Sequence, residues 1–163
     1  MSMDLLFKRR SIRSYQNRLV EDEKITELLK AGMAAPSALN KRPWHFVVIK
    51  ERNTLDKITE IHPYSNMLKE APLAIAVCGK KEEPYWVQDC AAAMQNILLA
   101  ATANGLGSVW LGVYPREERA DTIKKLLGID NEYLPLGLCA IGYPNEEKQE
   151  KDIYESDKIT ILE

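Results

Sequence analysis

The chain has 163 residues, 45% apolar and 28% charged, with a formal net charge of −2. That is enough apolar material for the core of one domain over residues 1–163, and too much for an intrinsically disordered chain. It lacks the basic excess of a nucleic-acid binder, the ~20-residue apolar run of a membrane span and the apolar stretch of a secretory signal, so a soluble cytoplasmic protein with neither nucleic acid nor membrane as partner is expected.

Asp4 to Arg10 reads as a short helix carrying Leu5, Leu6 and Phe7. Glu21 to Ala34 is a stronger helix: Ile25, Leu28, Leu29 and Met33 share one face, and the acids at its start suit the helix dipole. Ala35-Pro36-Ser37 stops it and opens a loop that runs to Pro43. His45 to Lys50 is a predicted strand, and Asn53 to Ile61 a helix with Leu55, Ile58 and Ile61 as its apolar positions. Leu73 to Cys78 is a second strand. Tyr85 to Asn104 is the longest helical pattern, with the stripe Trp86, Cys90, Met94, Ile97, Ala101 and the small residues Ala91 to Ala93. Gly105 sits where a helix-ending glycine belongs. Ser108 to Tyr114 (strand), Pro115 to Leu127 (helix) and Leu136 to Ile141 (strand) follow. The tail from Asn145 is polar until the short β-like segment Ile159 to Leu162. These elements predict an α+β fold with a central sheet flanked by helices, and a tail better suited to extend over a second subunit than to fold on its own core.

The inventory of reactive groups is sparse. Cys78, Cys90 and Cys139 are isolated in apolar stretches and read as buried free thiols. His45 opens an apolar strand and reads as structural, and His62 precedes Pro63 in a loop. There is no Ser-His-Asp pattern, Walker loop, EF-hand or Cys/His metal spacing. Demanding chemistry would therefore have to come from a bound organic cofactor.

Three segments stand out. Arg9-Arg10-Ser11-Ile12-Arg13 packs three guanidinium groups and a hydroxyl together, and in an extended segment Arg9, Ser11 and Arg13 share a side. This is either a compact phosphate site or a solvated basic arm. Ala35 to Trp44 is a stiff loop of small residues and prolines in which Ser37 and Asn40 can bond ring heteroatoms, or else simply a helix end and turn. Asn104 to Gly112 runs from a helix into a strand, the reverse of a dinucleotide-binding glycine loop. Its glycines suggest tight helix–strand packing, with Gly112 leaving room for a ligand beside the backbone.

Taken together, R-R-S-I-R, A-P-S-A-L-N-K-R-P-W and A-x-x-N-I-L-L-A-A-x-x-x-G-L-G-S-V-W-L-G resemble, in order and over nearly the whole chain, the nitroreductase family of FMN enzymes. Gly142-Tyr143-Pro144 resembles that family's closing motif. The resemblance implies a nitroreductase-like α+β fold with a mixed central sheet, in an intertwined homodimer holding two FMN molecules at the interface. It implies that Arg9, Arg10, Ser11 and Arg13 hold the FMN phosphate and ribityl chain. Pro36, Ser37, Ala38 and Asn40 would reach the flavin of the other subunit, and Trp110, Leu111 and Gly112 would line the isoalloxazine ring. The alanine-rich helix would form the core of the dimer interface, and the tail would embrace the partner. One departure concerns the basic pair that family members often carry in the tail: Lys151 matches its first position, Ile153 occupies its second, and Lys148 is an alternative phosphate contact.

The implied activity is ping-pong oxidoreduction: NADH or NADPH reduces the flavin, and a nitroaromatic, quinone or similar acceptor reoxidises it. No side chain is an evident acid or base, so no catalytic residue is assigned, and no metal is expected. The chain lacks a spare segment between Cys78 and Tyr85 for the helical insertion of longer members, which predicts an open pocket and broad substrate choice. The sequence leaves open a reductive dehalogenase, a flavin-consuming relative and a non-enzymatic FMN-binding protein, and it does not distinguish NADH from NADPH.

Overall fold

A computed structural model describes residues 3–150 and 153–163. Its elements in order are α1 (Asp4–Lys8), α2 (Asp22–Met33), β1 (Trp44–Ile49), α3 (Arg52–Ile61), β2 (Leu73–Lys80), α4 (Trp86–Ala103), β3 (Gly107–Gly112), α5 (Glu117–Leu127) and β4 (Tyr133–Gly142). Short 3-10 turns at Ala38–Asn40, Asn66–Lys69 and Ser156–Lys158 complete them.

The four strands form one sheet in the order β1-β2-β4-β3. The central pair, β2 and β4, carries near-continuous apolar runs because both of its faces are covered. On one face Leu55 and Ile58 of α3 and Ile123 of α5 pack on Ala74, Ala76, Leu138 and Ala140. On the other, Leu28 of α2 and Cys90, Met94 and Ile97 of α4 pack on Ile75, Val77, Cys139 and Ile141. The α4 stripe read from the sequence is the buried face of that helix. Gly105, at φ 69°, takes the left-handed turn that releases the chain from α4 into β3.

The α+β class holds, but the ladders between these strands are antiparallel rather than mixed. The connections explain this. Ile49 at the end of β1 pairs with Ala74 at the start of β2. The chain thus re-enters the sheet at the end it left, because the segment after α3 packs back along that helix. The α5 connection does the same between β3 and β4, where Gly112 pairs with Gly137. Among the described residues parallel pairing survives only in the isolated bridge Ser11–Ser108. A bulge between Val77 and Cys78 falls beside Pro135 of β4, which has no N–H to give the ladder.

Among the described residues Ile159–Leu162 joins no strand ladder, and Ile161 and Leu162 are 75% and 92% exposed. Among the described residues no helix is long and apolar enough to cross a membrane.

Candidate functional site: a cationic cleft along the outer edge of β3

The extended segment after α1 runs beside β3. Ser11 bridges Ser108, and the Ile12 N–H donates to the Ser108 carbonyl at 3.0 Å. Ile12 is buried while Arg13 is exposed, as an extended backbone alternates. Gly107 makes this approach possible: a Cβ there would lie 2.7 Å from Cγ2 of Ile12. Tyr15 anchors the end of the segment, its hydroxyl donating to the Ile12 carbonyl at 2.7 Å. Lys148 Nζ donates to the Ser11 carbonyl at 2.6 Å and pairs with Glu146 at 3.3 Å. Glu146 also accepts the Arg13 N–H at 2.5 Å, and this bond holds its carboxyl below the ordinary carboxylate range. Lys148 therefore stands at the arginine segment. Lys151 lies outside the described residues.

Because the Ser108 carbonyl faces outward, alternation sends the N–H and C=O of Trp110 and Gly112 outward too. β3 is a sheet edge, so these groups meet no fifth strand. They line a cleft of about 320 Å³ bounded by Arg13, His62, Tyr64, Val109, Trp110, Leu111, Gly112 and Arg119. No carboxylate lines it, and among the described residues neither Arg13 nor Arg119 has an ion-pair partner. A Cβ added at Gly112 would meet nothing within 4 Å. The Trp110 indole lies over Gly137, where a Cβ would come 2.5 Å from its Nε1. Arg10 Nε, buried beside the Ser11 bridge, has no hydrogen-bond partner. A buried guanidinium N–H left unpaired is costly unless a ligand takes it. Guanidinium groups without carboxylate partners, outward backbone donors and an open strip of backbone together suit a flat anionic molecule.

The second sequence-predicted group stands elsewhere. Ser37 Oγ accepts the Arg42 N–H at 2.9 Å, and the Ala38 N–H donates to Asp89 of α4 at 3.0 Å. Leu39, Asn40 and Arg42 all take left-handed backbone (φ 52°, 54° and 48°), and Leu39 is 90% exposed. Pro36 and Asn40 are exposed as well. This loop leads into β1, at the opposite edge of the sheet from β3. Three strand spacings separate the two edges, about 14 Å. One chain thus brings Arg13, Trp110, Leu111 and Gly112 to one cleft, with Ser11 bridging Ser108 on the same strand and Arg9 and Arg10 just before it in sequence, and carries Pro36, Ser37, Ala38 and Asn40 at the other edge of the sheet.

Three contributors escaped the sequence reading. His62 is 3% exposed, and its Nε2 lies 2.8 Å from the Gly112 carbonyl. Its Nδ1 accepts the Tyr64 N–H at 3.2 Å. Burial and the nearby Arg119 charge push its pKa down, against the opposing pull of the Gly112 carbonyl. Arg119 donates to that same carbonyl at 3.2 Å. Asp89 is 7% exposed, and a lone acid beside the apolar stripe of α4 was the available signal.

The family model described as Nitroreductase family matches residues 6–62 and 61–143. The chain belongs to the nitroreductase family. It is 47% identical over 163 residues to a Methanothermobacter thermautotrophicus protein provisionally named NADH dehydrogenase/NAD(P)H nitroreductase, covering 98% of this chain and 85% of the relative. A Bacteroides thetaiotaomicron structure with the same provisional name superposes with TM-score 0.95 at 45% identity, covering 98% of this chain and 95% of that one. An FMN-dependent nitroreductase from Clostridium difficile superposes with TM-score 0.94 at 32% identity, covering 99% of each chain.

Proposed function

We propose that this nitroreductase-family chain binds FMN along the outer edge of β3 and acts as an FMN-dependent NAD(P)H oxidoreductase in a homodimer. The observation that carries the reading is the cleft itself: outward backbone groups of Trp110 and Gly112 with Arg13 at one end and the partnerless Arg10 Nε nearby. The residues fit the cofactor. Arg9, Arg10, Ser11 and Arg13 would hold its phosphate and ribityl chain, with Lys148 ordering the segment and Lys151 as a further contact. Trp110, Leu111 and Gly112 would lie against the ring, and an outward N–H there is placed to donate to a ring heteroatom.

FMN when bound supplies the hydride or electron transfer, and the protein supplies orientation and electrostatics. Arg13 and Arg119 put positive charge at the cleft, which favours a reduced, anionic ligand over an oxidised, neutral one. His62 is the one side chain lining the cleft with an ordinary pKa near neutrality, and both its nitrogens are engaged. No side chain is therefore assigned as an acid or base.

The separation of the Pro36–Asn40 loop from β3 supports a composite site. A ring lying on Gly112 is out of reach of the same chain's Ser37 and Asn40, and a second copy would deliver that loop. The exposed apolar tail, Ile159 to Leu162, would bury itself on that copy. The β2–α4 connection spans only residues 81 to 85, with no helix to cover the cleft. Donor and acceptor would share this open space in turn, a ping-pong order, and nitroaromatics or quinones are the acceptor class expected. The test is the visible spectrum of the protein incubated with FMN, followed by NADH or NADPH without air. Bound flavin that bleaches supports the proposal, flavin that stays oxidised with both donors overturns the oxidoreductase, and failure to retain FMN overturns the site.

A further inference from the structure

We propose that His62 is a positioning residue that ties the two walls of the cleft together, fixing the Gly112 strip on which the cofactor lies. This rests on the flavin reading for its purpose, while the tie itself is a feature of the chain. One wall is β3. The other is the turn after α3, where Tyr64 lines the cleft. The His62 ring spans them, with Nε2 2.8 Å from the Gly112 carbonyl and Nδ1 3.2 Å from the Tyr64 nitrogen.

The partners decide the proton's position. The Tyr64 N–H can only donate, so Nδ1 is an acceptor and Nε2 carries the hydrogen that goes to the Gly112 carbonyl. Only the neutral ring with that tautomer makes both bonds. A second proton, on Nδ1, would face the Tyr64 N–H and break the tie. The surroundings favour the neutral ring. Arg119 reaches the same carbonyl from α5, and Arg13 faces the cleft from the N-terminal segment. β3 offers no titratable group between Val109 and Gly112, and no carboxylate lines the cleft. The ring is 3% exposed, and its pKa is lowered accordingly.

Gly112 is where this matters. With no side chain of its own and open space beside it, its backbone is held by the ladder to β4 and, on the outer side, by His62 and Arg119. Loosening the outer side lets the strip and the Tyr64 wall drift apart.

The experiment uses the FMN-loaded protein and three variants. His62→Phe keeps ring volume and makes neither bond; His62→Gln retains a donor for Gly112; His62→Asn retains an acceptor near Nδ1. The FMN dissociation constant and flavin midpoint potential are measured from pH 5 to 8, with melting temperature beside them. Loss of one to two neutral hydrogen bonds predicts about three- to tenfold weaker FMN binding for His62→Phe at pH 7.5, largely restored in His62→Gln. Because burial lowers the ring's pKa, the parent's affinity should fall only on acidification below the ordinary histidine range, and the variants should lack that limb. Parent-like affinity, potential and pH profile in His62→Phe would overturn the tie. If His62→Phe does not fold, a pH limb that persists in His62→Gln overturns it instead. A 15N spectrum of the flavin-free parent separates this from the flavin reading: a neutral ring protonated on Nε2 at pH 6.5 supports the tie even if FMN does not bind, and protonation on Nδ1 overturns it.

Discussion

Two glycines of the same strand should respond to alanine in opposite ways. At Gly107 an added Cβ would sit 2.7, 2.8 and 2.9 Å from Cγ2, Cβ and Cγ1 of Ile12. Those atoms belong to a stiff β-branched side chain that is 8% exposed, so relief requires the arginine segment to move off β3. Overpacking of this kind costs about 1–3 kcal/mol, or roughly 2–12 °C in Tm at about 2–4 °C per kcal/mol for a domain of this size. It should also weaken FMN binding by displacing Arg9 to Arg13. At Gly112 a Cβ meets nothing within 4 Å, and the backbone is not left-handed. Gly112→Ala should leave the flavin-free protein unchanged or raise its stability by about 0.4–1 kcal/mol through the unfolded state. Yet it places a methyl where the ring should lie, and FMN affinity should drop about tenfold or more, ~1.4 kcal/mol. Denaturant melts of flavin-free protein and fluorescence titration with FMN read both quantities. Equal loss of stability in the two variants would refute the open-space reading of Gly112. Parent-like FMN affinity in Gly112→Ala would refute the placement of the ring.

Three further outcomes follow from the same geometry. Asp89→Ala strips the Ala38 N–H of its buried acceptor, so the Pro36–Asn40 loop should loosen at a cost of about 1–3 kcal/mol; limited proteolysis at that loop should accelerate, and FMN should leave faster. Glu21 accepts the Tyr143 hydroxyl at 2.7 Å, and chiefly through that bond its pKa falls to about 2 from an ordinary 4.5. Its contribution to stability is therefore complete above pH 4.5 and lost as the pH falls towards 2; in an acid titration Tyr143→Phe should weaken this limb, Arg18 retaining part of it, and an unaltered acid midpoint would count against it. Burial pushes the Cys78, Cys90 and Cys139 thiols up to about 12, so a thiol reagent should label the native protein only at its unfolding rate.

The helices and strands were legible because each carries a long apolar period, and α4 shows this best. Strand direction was not: it depends on whether a connection doubles back, as the turn after α3 does, and periodicity does not record that. The arginine segment was legible as charge, but its place beside β3 depends on Gly107 accommodating Ile12. The left-handed backbone at Leu39, Asn40 and Arg42 was invisible, since two of the three are residue types with no preference for it. His62 was read as a loop residue because its partners are backbone groups of Gly112 and Tyr64, and backbone partners leave no mark in a sequence. The tail was legible only as a short β-like segment, Ile159–Leu162, which among the described residues joins no strand.

If an FMN site joins the β3 edge of one chain to the Pro36–Asn40 loop of another, subunit complementation will reveal it. Arg13→Glu disables the cleft, and Asn40→Trp disables the loop; both positions are exposed, and because Asn40 is left-handed the melting temperature of each homodimer checks that its fold is kept. Each homodimer should fail to bind FMN. A purified heterodimer of the two variants, made with distinct affinity tags, carries one doubly altered site and one intact site. It should regain FMN at one site per dimer, and with it flavin reduction by NADH or NADPH. A heterodimer that binds no more FMN than its parents, or a parent that binds FMN normally, would contradict the composite site.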